Sequence, residues 1–227
     1  MMLNKWEQLP ECMHTPEVAE YYEILKQKPL GLFCKRLFDI LISFLLIILL
    51  SPVMLGISIW IKLDSKGPVM FRQVRITTGG REFRIFKFRT MVTDAEKLGT
   101  QVTVGEDPRI TRSGHVLRKF RMDEIPQLFN VLAGDMSFVG TRPEVPRYVE
   151  QYTPEMWATL LLPAGITSEA SIRYKDEAKL LEEAEDADRV YVEQVLPEKM
   201  KYNLTYMKRF QFWRDIKIMF DTVFAVL

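Results

Sequence analysis

The stretch Ile40–Ile61 reads ILISFLLIILLSPVMLGISIWI and carries no charged side chain over its 22 residues. As a straight helix it would be roughly 33 Å long, enough to cross a membrane, so it predicts a membrane segment. It starts too late for a signal peptide and lacks a small-residue cleavage site. This segment therefore decides where the remaining residues are placed, beside a membrane.

Ser51 and Pro52 lie in the middle of the apolar segment. Proline removes a backbone donor and clashes with the preceding turn, so each half would be about 11 residues, too short to cross. Basic residues flank both sides, namely Lys35, Arg36, Lys62 and Lys66. Positive charge at both ends favours two ends on one cytoplasmic face. These features predict a re-entrant helix-break-helix over residues 34–63; one proline-kinked helix that crosses the membrane is the alternative.

Asp39 lies at the edge of the apolar segment, four residues after Lys35 and three after Arg36. On a helix these spacings place it beside both bases. An ionisable group at a membrane interface is costly unless it is paired. We therefore interpret Lys35, Arg36 and Asp39 as anchors of the hairpin, with Ser51 and Pro52 at its break, and not as catalytic residues.

The net charge of +1 hides an asymmetry along the 227 residues. Residues 62–121 carry 14 Lys/Arg against 6 Asp/Glu, whereas residues 176–198 carry 9 Asp/Glu against 2 Lys/Arg. A basic stretch beside an apolar segment indicates anionic lipid or a phosphorylated substrate. A solvated face with scattered counter-charges is the alternative.

Cysteine and histidine are too rare for several kinds of site. Cys12 and Cys34 are the two cysteines, and His14 and His115 the two histidines. Two cysteines 22 residues apart are no disulfide framework, and they form no CxxC pair. Zinc sites and Ser-His-Asp catalysis usually need more histidine than this, so both are disfavoured.

A β-hairpin is predicted from Val69–Ile76 and Arg81–Met91, which are rich in Val, Ile and Phe around a Thr-Thr-Gly-Gly turn. Lys87 and Arg89 would share one strand face, because alternate residues point the same way. That face offers two cations to a phosphate. A solvated strand face is an equally good interpretation from these residues alone.

The other segments receive coarser predictions. We expect a short helix at Pro16–Lys28, a helix start at Asp94–Thr100, a turn-rich segment at Asp107–Gly114 and an acidic helix or loop at Ala178–Asp188. Glu198–Leu227 mixes bases with aromatics, which is typical of a helix in a membrane interface, although packing on the core is as good an interpretation. RNA is disfavoured because no nucleic-acid motif accompanies these residues.

Two adjacent carboxylates, Asp123 and Glu124, stand where a helix is predicted to begin. A buried face at Ile125, Leu128, Phe129 and Leu132, with Pro126 in the first turn and Gly134 as C-cap, defines that helix. Asp123 would be its N-cap, at the positive end of the helix dipole, which should keep the carboxylate ionised. An ionised carboxylate can act as a nucleophile on phosphate. On the dipeptide alone, an ordinary cap followed by a first-turn acid is the better interpretation.

The residues around the dyad favour the nucleophile over the ordinary helix cap. Their sequence reads RKFRMDEIPQLFNVLAGDMSFVGTRP over residues 118–143, and it places Arg118, Arg121 and Arg142 around the dyad. From about Lys35 to the C-terminus the chain resembles the bacterial polyprenyl-phosphate phosphoglycosyltransferases, the monotopic bacterial sugar transferase family. The run KFRTM at residues 87–91 and the segment Asp107–Gly114 belong to the same resemblance.

The resemblance implies a reaction and a set of roles. Asp123 would attack the β-phosphate of a UDP-sugar and release UMP, and polyprenyl (undecaprenyl) phosphate would then take the sugar phosphate to start a lipid-linked glycan. Glu124 and Asp123 would hold Mg²⁺ (or Mn²⁺), with Arg118 also catalytic. Substrate-binding roles are implied for Arg142, Pro143, Lys87, Arg89, Asp107 and Arg109.

Three positions depart from the pattern of that family. The family often has Ser where Arg121 stands, and usually Gly-Pro-Arg-Pro where this chain has Thr141 in second place. Its Pro-Gly-Ile/Leu-Thr-Gly loop is here PAGITS over residues 163–168, with one inserted residue. The last two departures bear on loop geometry and sugar preference.

The sequence thus predicts an α/β (α+β), mostly helical, monotopic membrane enzyme with a small sheet and interfacial helices. Its parts would be an N-terminal extension at 1–33, the hairpin at 34–63 and a catalytic domain at 64–227. We expect it on the cytoplasmic face of a bacterial inner membrane. UDP-sugar, polyprenyl phosphate and membrane lipids would be its partners, without nucleic acid and with a homo-oligomer left open. A glycosyltransferase that releases UDP and a non-catalytic scaffold of polysaccharide export are the rivals.

Overall fold

The computed structural model describes residues 3–95, 107–174 and 186–226. The described chain is mostly helical, with two small two-stranded sheets, as the predicted fold class requires. The helices are α1 Pro16–Lys26, α2 Pro29–Asp64, α3 Arg112–Lys119, α4 Gln127–Ala133, α5 Pro146–Val149, α6 Glu169–Arg173, α7 Ala187–Val190, α8 Leu196–Lys208 and α9 Phe212–Val226. The strands are β1 Met70–Ile76, β2 Glu82–Phe88, β3 Met136–Val139 and β4 Ala164–Thr167.

Helix α1 confirms the predicted N-terminal helix, ending two residues early. The Thr15 side chain accepts from the Val18 N–H at 3.3 Å, and Pro16 fits the first turn because its missing donor would have no partner there. One face is buried in the main core: Val18, Tyr21, Tyr22 and Leu25. Helix α1 therefore packs on the core.

Helix α2 continues through Ser51 and Pro52 over 36 residues, so the predicted break into two helices is wrong. Pro52 removes the donor that would have bonded the Ile48 carbonyl. The Ser51 hydroxyl donates to that same carbonyl at 2.8 Å, which compensates for the loss and allows the helix to continue. Among the described residues this is the one helix long and apolar enough to cross a membrane.

Both ends of α2 are fixed to the same body. Arg36 donates to the carbonyls of Val131 and Leu132 near one end, at 2.7 and 2.9 Å. Near the other end, Asp64 accepts from both the N–H and the hydroxyl of Ser113, at 2.9 and 2.8 Å. Between them the helix exposes large apolar side chains, including Leu41, Phe44, Leu45, Leu49 and Leu55.

Strands β1 and β2 confirm the predicted hairpin. They pair antiparallel from Met70↔Phe88 to Ile76↔Glu82, and the turn at Thr78–Gly80 connects them. Gly79 and Gly80 have φ of 67° and 74°, a region that favours glycine. The predicted Arg81–Met91 strand is shorter, since β2 ends at Phe88.

Strands β3 and β4 pair in parallel, which the sequence did not predict. Strand β4 lies within residues 163–168, the segment whose sequence differs from the loop of the family. The main core lies between these strands, α1, α8 and the turn Met156–Leu161. A smaller cluster packs the C-terminal half of α2 against β2 and α3, through Met54, Ile57, Ile61, Phe88 and Leu117.

The C-terminal segment forms two helices with different surroundings. Helix α8 buries Tyr206 and Met207 in the main core, so the core interpretation holds for it. Helix α9 instead exposes Trp213, Phe220 and Phe224, at 77%, 64% and 77%. Its placement in a membrane interface stays a prediction.

Two coarse predictions concern segments that fall largely outside the described residues. These are the helix start at Asp94–Thr100 and the acidic segment at Ala178–Asp188. The division of the chain at residues 33 and 63 also stays a prediction. Helix α2 nevertheless begins at Pro29, inside the proposed N-terminal extension.

Candidate active site

A turn of 3-10 helix, Met122–Glu124, carries the dyad. Arg121 precedes it with φ of 55° and ψ of 20°, an unusual left-handed conformation that reverses the chain after α3. Helix α4 begins at Gln127, three residues after Glu124. Pro126 occupies its N-cap position, and no side chain caps the helix. The prediction of Asp123 as N-cap is therefore wrong, and with it the argument that a helix dipole keeps this carboxylate ionised.

The buried face of α4 differs from the predicted one. Leu128 is buried as expected, but Phe129 is 39% exposed. The Asn130 side chain is buried instead, accepting from the Phe86 N–H at 2.9 Å and donating to the Arg84 carbonyl at 3.0 Å. These bonds fix α4 beside β2, because buried backbone groups must find partners.

The end of α4 agrees with the sequence. Gly134 is the predicted C-cap, with φ of 93°, and its N–H donates to the Asn130 and Val131 carbonyls at 3.0 and 3.1 Å. The next residues form β3, which leads to the loop that carries Arg142. The cap therefore sets the direction in which the chain returns to the dyad.

Glu124 brings two cations together. Lys87 Nζ and Arg142 Nη2 each lie 2.9 Å from Glu124 Oε1, and the Glu124 side chain is 12% exposed. We call Glu124, Lys87 and Arg142 the Glu124 cluster. It joins strand β2, the dyad turn and the loop after β3, three segments that are far apart in sequence.

The two carboxylates of the dyad have opposite electrostatics. Burial opposes ionisation of Glu124, but the charges of Arg142 and Lys87 outweigh it and hold the pKa of Glu124 well below its usual range. Burial raises the pKa of Asp123, and Lys87 and Arg118 only partly counter this. Nearby cations, and not a helix dipole, thus favour the ionised form of Asp123.

A cavity of about 800 Å³ opens in front of the dyad. The residues that line it include more cations than carboxylates. Among these cations are Arg75, Lys87, Arg109, Arg118, Arg121 and Arg142. A concave site with surplus positive charge and low-dielectric walls favours an anionic ligand. Apolar side chains, among them Met70, Phe71 and Val92, line another part of the cavity.

Four predicted substrate-binding residues reach the cavity wall, namely Lys87, Arg89, Arg109 and Arg142, as does the predicted catalytic Arg118. Arg109 forms an ion pair of 2.6 Å with Asp107, and its hydrogen bonds lower the pKa of Asp107 to about 2. Asp107 therefore acts on the cavity through Arg109. Pro143 contributes its carbonyl, which accepts from Arg75 at 3.1 Å.

Arg89 differs from its prediction. It lies beyond the end of β2, is 5% exposed, and donates to the carbonyls of Ser65, at 2.9 Å, and Lys66. Although it borders the cavity, its guanidinium holds the chain that leaves α2. The expected pair of cations on one strand face thus becomes Lys87 alone.

The predicted anchors are placed against the body, with different partners from those expected. Lys35 forms an ion pair of 2.7 Å with Asp215 and donates to the Val139 carbonyl at 2.6 Å. Asp39 accepts from the Phe138 N–H at 3.2 Å. Arg36 donates to the Val131 and Leu132 carbonyls at the end of α4, and not to Asp39 as expected.

Sequence reasoning missed Gln73 and Arg75, which line the cavity from β1. The register pairs Phe71 with Lys87, Gln73 with Ile85 and Arg75 with Phe83, so these side chains share the sheet face of Lys87. The polar alternation at residues 73 and 75 of a half-buried strand was the available signal. Glu144 was also missed; it is 7% exposed and accepts from Tyr191 at 2.6 Å.

The two dyad carboxylates are of the ligand type that Mg²⁺ takes in proteins. Mg²⁺ is usually bound by one or two carboxylates together with phosphates, not by a full protein cage. The described residues contain no group of three or more His, Cys, Asp or Glu side chains that could hold a metal. Lys87 and Arg142 both bond Glu124 Oε1, which leaves Oε2 for a cation.

Comparisons with known proteins point in one direction. The family described as bacterial sugar transferase matches residues 30–227. The chain is 41% identical over 207 residues to the UDP-N-acetylgalactosamine-undecaprenyl-phosphate N-acetylgalactosaminephosphotransferase of Aeromonas hydrophila, covering 89% of this chain and 46% of that protein. It is 38% identical over 195 residues to the UDP-glucose:undecaprenyl-phosphate glucose-1-phosphate transferase of Escherichia coli K12, covering 84% and 39%.

A third relative carries a third sugar in its name. The undecaprenyl-phosphate galactose phosphotransferase of Salmonella typhimurium is 33% identical over 212 residues, covering 86% of this chain and 40% of that protein. The chain thus spans less than half the length of each of these three relatives.

Proposed function

This chain belongs to the bacterial sugar transferase family, and on that premise we propose that it transfers a sugar 1-phosphate from a UDP-sugar to undecaprenyl phosphate. The observation that carries the proposal is Asp123, placed in a cationic cavity beside a Glu124 that bridges Lys87 and Arg142. The names of the relatives supply the donor and acceptor classes. Their different sugars leave the sugar of this chain to experiment.

In the first half-reaction, a carboxylate oxygen of Asp123 attacks the β-phosphorus of the UDP-sugar. The bond from that phosphorus to the bridging oxygen breaks, and UMP leaves with the electron pair. The sugar phosphate is then an acyl phosphate on Asp123, a known type of carboxylate intermediate. Arg118 and Arg142 are placed at the cavity to stabilise the charge on the phosphate oxygens.

In the second half-reaction, a phosphate oxygen of undecaprenyl phosphate attacks the same phosphorus. The bond to Asp123 breaks and the carboxylate is restored, so atoms and charge balance without a further reactant. Phosphoryl transfer of this kind depends mainly on positioning and charge neutralisation. The Glu124 cluster supplies both, because it fixes Lys87 and Arg142 at one carboxylate oxygen.

Asp123 and Glu124 are the residues proposed to hold Mg²⁺. When bound, the ion would neutralise phosphate charge on the donor. Arg109, which Asp107 fixes at the cavity wall, is proposed to contact the nucleotide phosphates. Arg89 is not proposed as a phosphate ligand, since backbone carbonyls occupy its guanidinium.

We place the protein on the cytoplasmic face of a bacterial inner membrane, with α2 entering and leaving the same leaflet. The support is that both ends of α2 bond the same body, although a straight helix of 36 residues would be roughly 54 Å long. Ser51 and Pro52, at its centre, are the proposed site of the bend. Association into homo-oligomers stays a prediction.

Cysteine labelling tests this topology. In a Cys12→Ser/Cys34→Ser background, single cysteines would replace Leu30 and Leu63, which are 73% and 82% exposed near the two ends of α2. An impermeant reagent should modify both from the cytoplasmic side of oriented membrane vesicles. Labelling of the two positions from opposite sides would establish a single crossing.

Nucleotide release tests the reaction. The purified protein would be incubated with Mg²⁺, undecaprenyl phosphate and UDP-glucose, UDP-galactose or UDP-N-acetylgalactosamine, and the nucleotide products separated. We expect UMP from one or two of these sugars and none from Asp123→Asn. UDP in place of UMP would show transfer of the sugar without its phosphate and overturn the proposal.

A further inference from the structure

The face of β1 that lines the cavity carries a polar pair outside the dyad. Gln73 and Arg75 lie two residues apart, on the same sheet face as Lys87. Lys87 pairs with Phe71, so Gln73 is its diagonal neighbour across the two strands. Diagonal neighbours lie roughly 7–8 Å apart. Because Lys87 bonds Glu124 directly, the Gln73 side chain is within reach of a ligand held at the dyad.

The hydrogen bonds of Gln73 fix the orientation of its amide. Arg75 Nε and Nη2 both donate to Gln73 Oε1, at 3.1 and 2.7 Å. A guanidinium can only donate, so the atom it meets must be the carbonyl oxygen. The amide nitrogen is left with two N–H donors, and no described residue accepts from them. A neutral pair of donors thus stands at the cavity wall.

A backbone carbonyl on the loop after β3 fixes the Arg75 guanidinium. Its Nη1 donates to the Pro143 carbonyl at 3.1 Å, next to Arg142 of the Glu124 cluster. Burial lowers the pKa of Arg75, and the charge of the Glu144 carboxylate only partly counters this. Tyr191 fixes Glu144 by a hydrogen bond of 2.6 Å. Arg75 therefore ties β1 to the loop that carries Arg142.

We propose that Gln73 recognises the sugar of the donor, donating from its amide nitrogen to a hydroxyl or acetamido oxygen, and that Arg75 is the positioning residue that orients it. This inference rests on the proposed function for the class of its ligand. Cations such as Lys87, Arg118 and Arg142 suit the phosphates, whereas a fixed neutral donor suits an uncharged sugar oxygen. A site built to bond such an oxygen discriminates against ligands that lack it.

Binding in the absence of turnover tests the inference. In an Asp123→Asn background, the affinities of UDP and of the three UDP-sugars would be measured by calorimetry. We expect at least one UDP-sugar to bind more tightly than UDP. Adding Gln73→Met should weaken that UDP-sugar by about 10-fold and leave UDP unchanged, as expected for one lost hydrogen bond and one unsatisfied partner. An equal loss for UDP and UDP-sugar would overturn the proposal.

The positioning role of Arg75 has its own readout. Arg75→Lys should produce the same loss of preference for the sugar over UDP, and the double variant Gln73→Met/Arg75→Lys should lose no more. Additive losses would show that Arg75 acts by another route. Arg72→Met, on the opposite and exposed face of β1, is the matched control and should leave the preference unchanged.

Failure of this inference differs from failure of the proposed function. Wild-type protein that releases UMP, with a sugar preference that Gln73→Met does not alter, would overturn the role of Gln73 alone. A preference that depends on Gln73, in a protein that never releases UMP, would support the sugar contact and overturn the reaction.

Discussion

The Glu124 cluster and the cluster around Lys35 use the same kinds of side chain to different ends. At the base of α2, Lys35 pairs with Asp215 at 2.7 Å with side chains 3% and 5% exposed, and Tyr206 donates to Asp215 at 2.8 Å. One cation meets two carboxylates there, its ion-pair partner Asp215 and the buried Asp39, in a closed interior. In the Glu124 cluster, two cations share one carboxylate oxygen at the wall of an open cavity.

The comparison shows that burial of charge does not by itself identify a reactive site. Both clusters are buried ion pairs with good geometry, and such pairs are often structural. The Glu124 cluster differs in its surplus of positive charge and in its access to ligand. Asp123, whose pKa burial raises, lies beside that cluster.

The largest effect is expected for Glu124→Gln. Glutamine keeps the shape of the side chain but leaves Lys87 and Arg142 without their shared anion, and removes a proposed magnesium ligand. UMP release should fall by at least about 1000-fold, about 4 kcal/mol of transition-state stabilisation. Its far-ultraviolet circular dichroism should match that of wild type. A fall in UMP release of less than 10-fold would show that the Glu124 cluster has a structural role and not a catalytic one.

Asp215→Asn should affect stability and not catalysis. Removing one partner leaves the buried Lys35 without its ion-paired carboxylate, which costs about 3–5 kcal/mol. Denaturant unfolding in detergent measures the loss, and UMP release per folded molecule should stay within about twofold. If the single variant does not fold, Lys35→Met/Asp215→Leu should regain most of the stability. Loss of activity in that folded double variant would mean that this cluster also serves the reaction.

The pH profile distinguishes the nucleophile from its neighbours. Asp123 must be ionised to attack, and burial raises its pKa, so kcat/KM should fall on the acid side at a pH above its ordinary value of 3.8. The Lys87 charge lowers that pKa. Lys87→Met should therefore move the acid limb to higher pH and reduce the plateau by about 10- to 100-fold.

Arg84→Gln is the control for this shift. Arg84 is exposed on the other face of β2, where its charge is directed away from the dyad. The acid limb should stay in place in this variant. An acid limb that Lys87→Met also leaves in place would mean that a group other than Asp123 sets it.

The smallest effect is expected for Tyr206→Phe. The variant removes only the hydroxyl that donates to Asp215, while Lys35 still neutralises the carboxylate. The free energy of unfolding should fall by about 1 kcal/mol, with UMP release unaltered. A loss as large as that of Asp215→Asn would mean that the hydroxyl, and not the ion pair, holds this cluster together.

The sequence predicted those parts of the site that local rules control. Asp123 and Glu124 lie in one short run, and the alternation of a strand, together with the family resemblance, pointed to Lys87. The capping glycine, Gly134, was predictable because few other residues adopt its conformation. These features depend on neighbours within a few residues, so a linear pattern contains them.

Other parts depend on distant contacts. Lys35 and Asp215 are 180 residues apart, and no pattern near either one indicates the pairing. Arg89 was assigned to the substrate because the end of β2 at Phe88 was not evident from its sequence. The break at Pro52 was predicted from the missing donor, whereas the Ser51 hydroxyl replaces it at the Ile48 carbonyl.

The central claim is that Asp123 carries the sugar phosphate, and the intact mass of the protein tests it most directly. Wild-type protein would be mixed with Mg²⁺ and its UDP-sugar without acceptor, then quenched in acid. The account predicts a mass increase of one sugar phosphate, absent in Asp123→Asn and removed when undecaprenyl phosphate is added. UMP formed only when both substrates are present, with no adduct at any time, would contradict it and establish direct transfer.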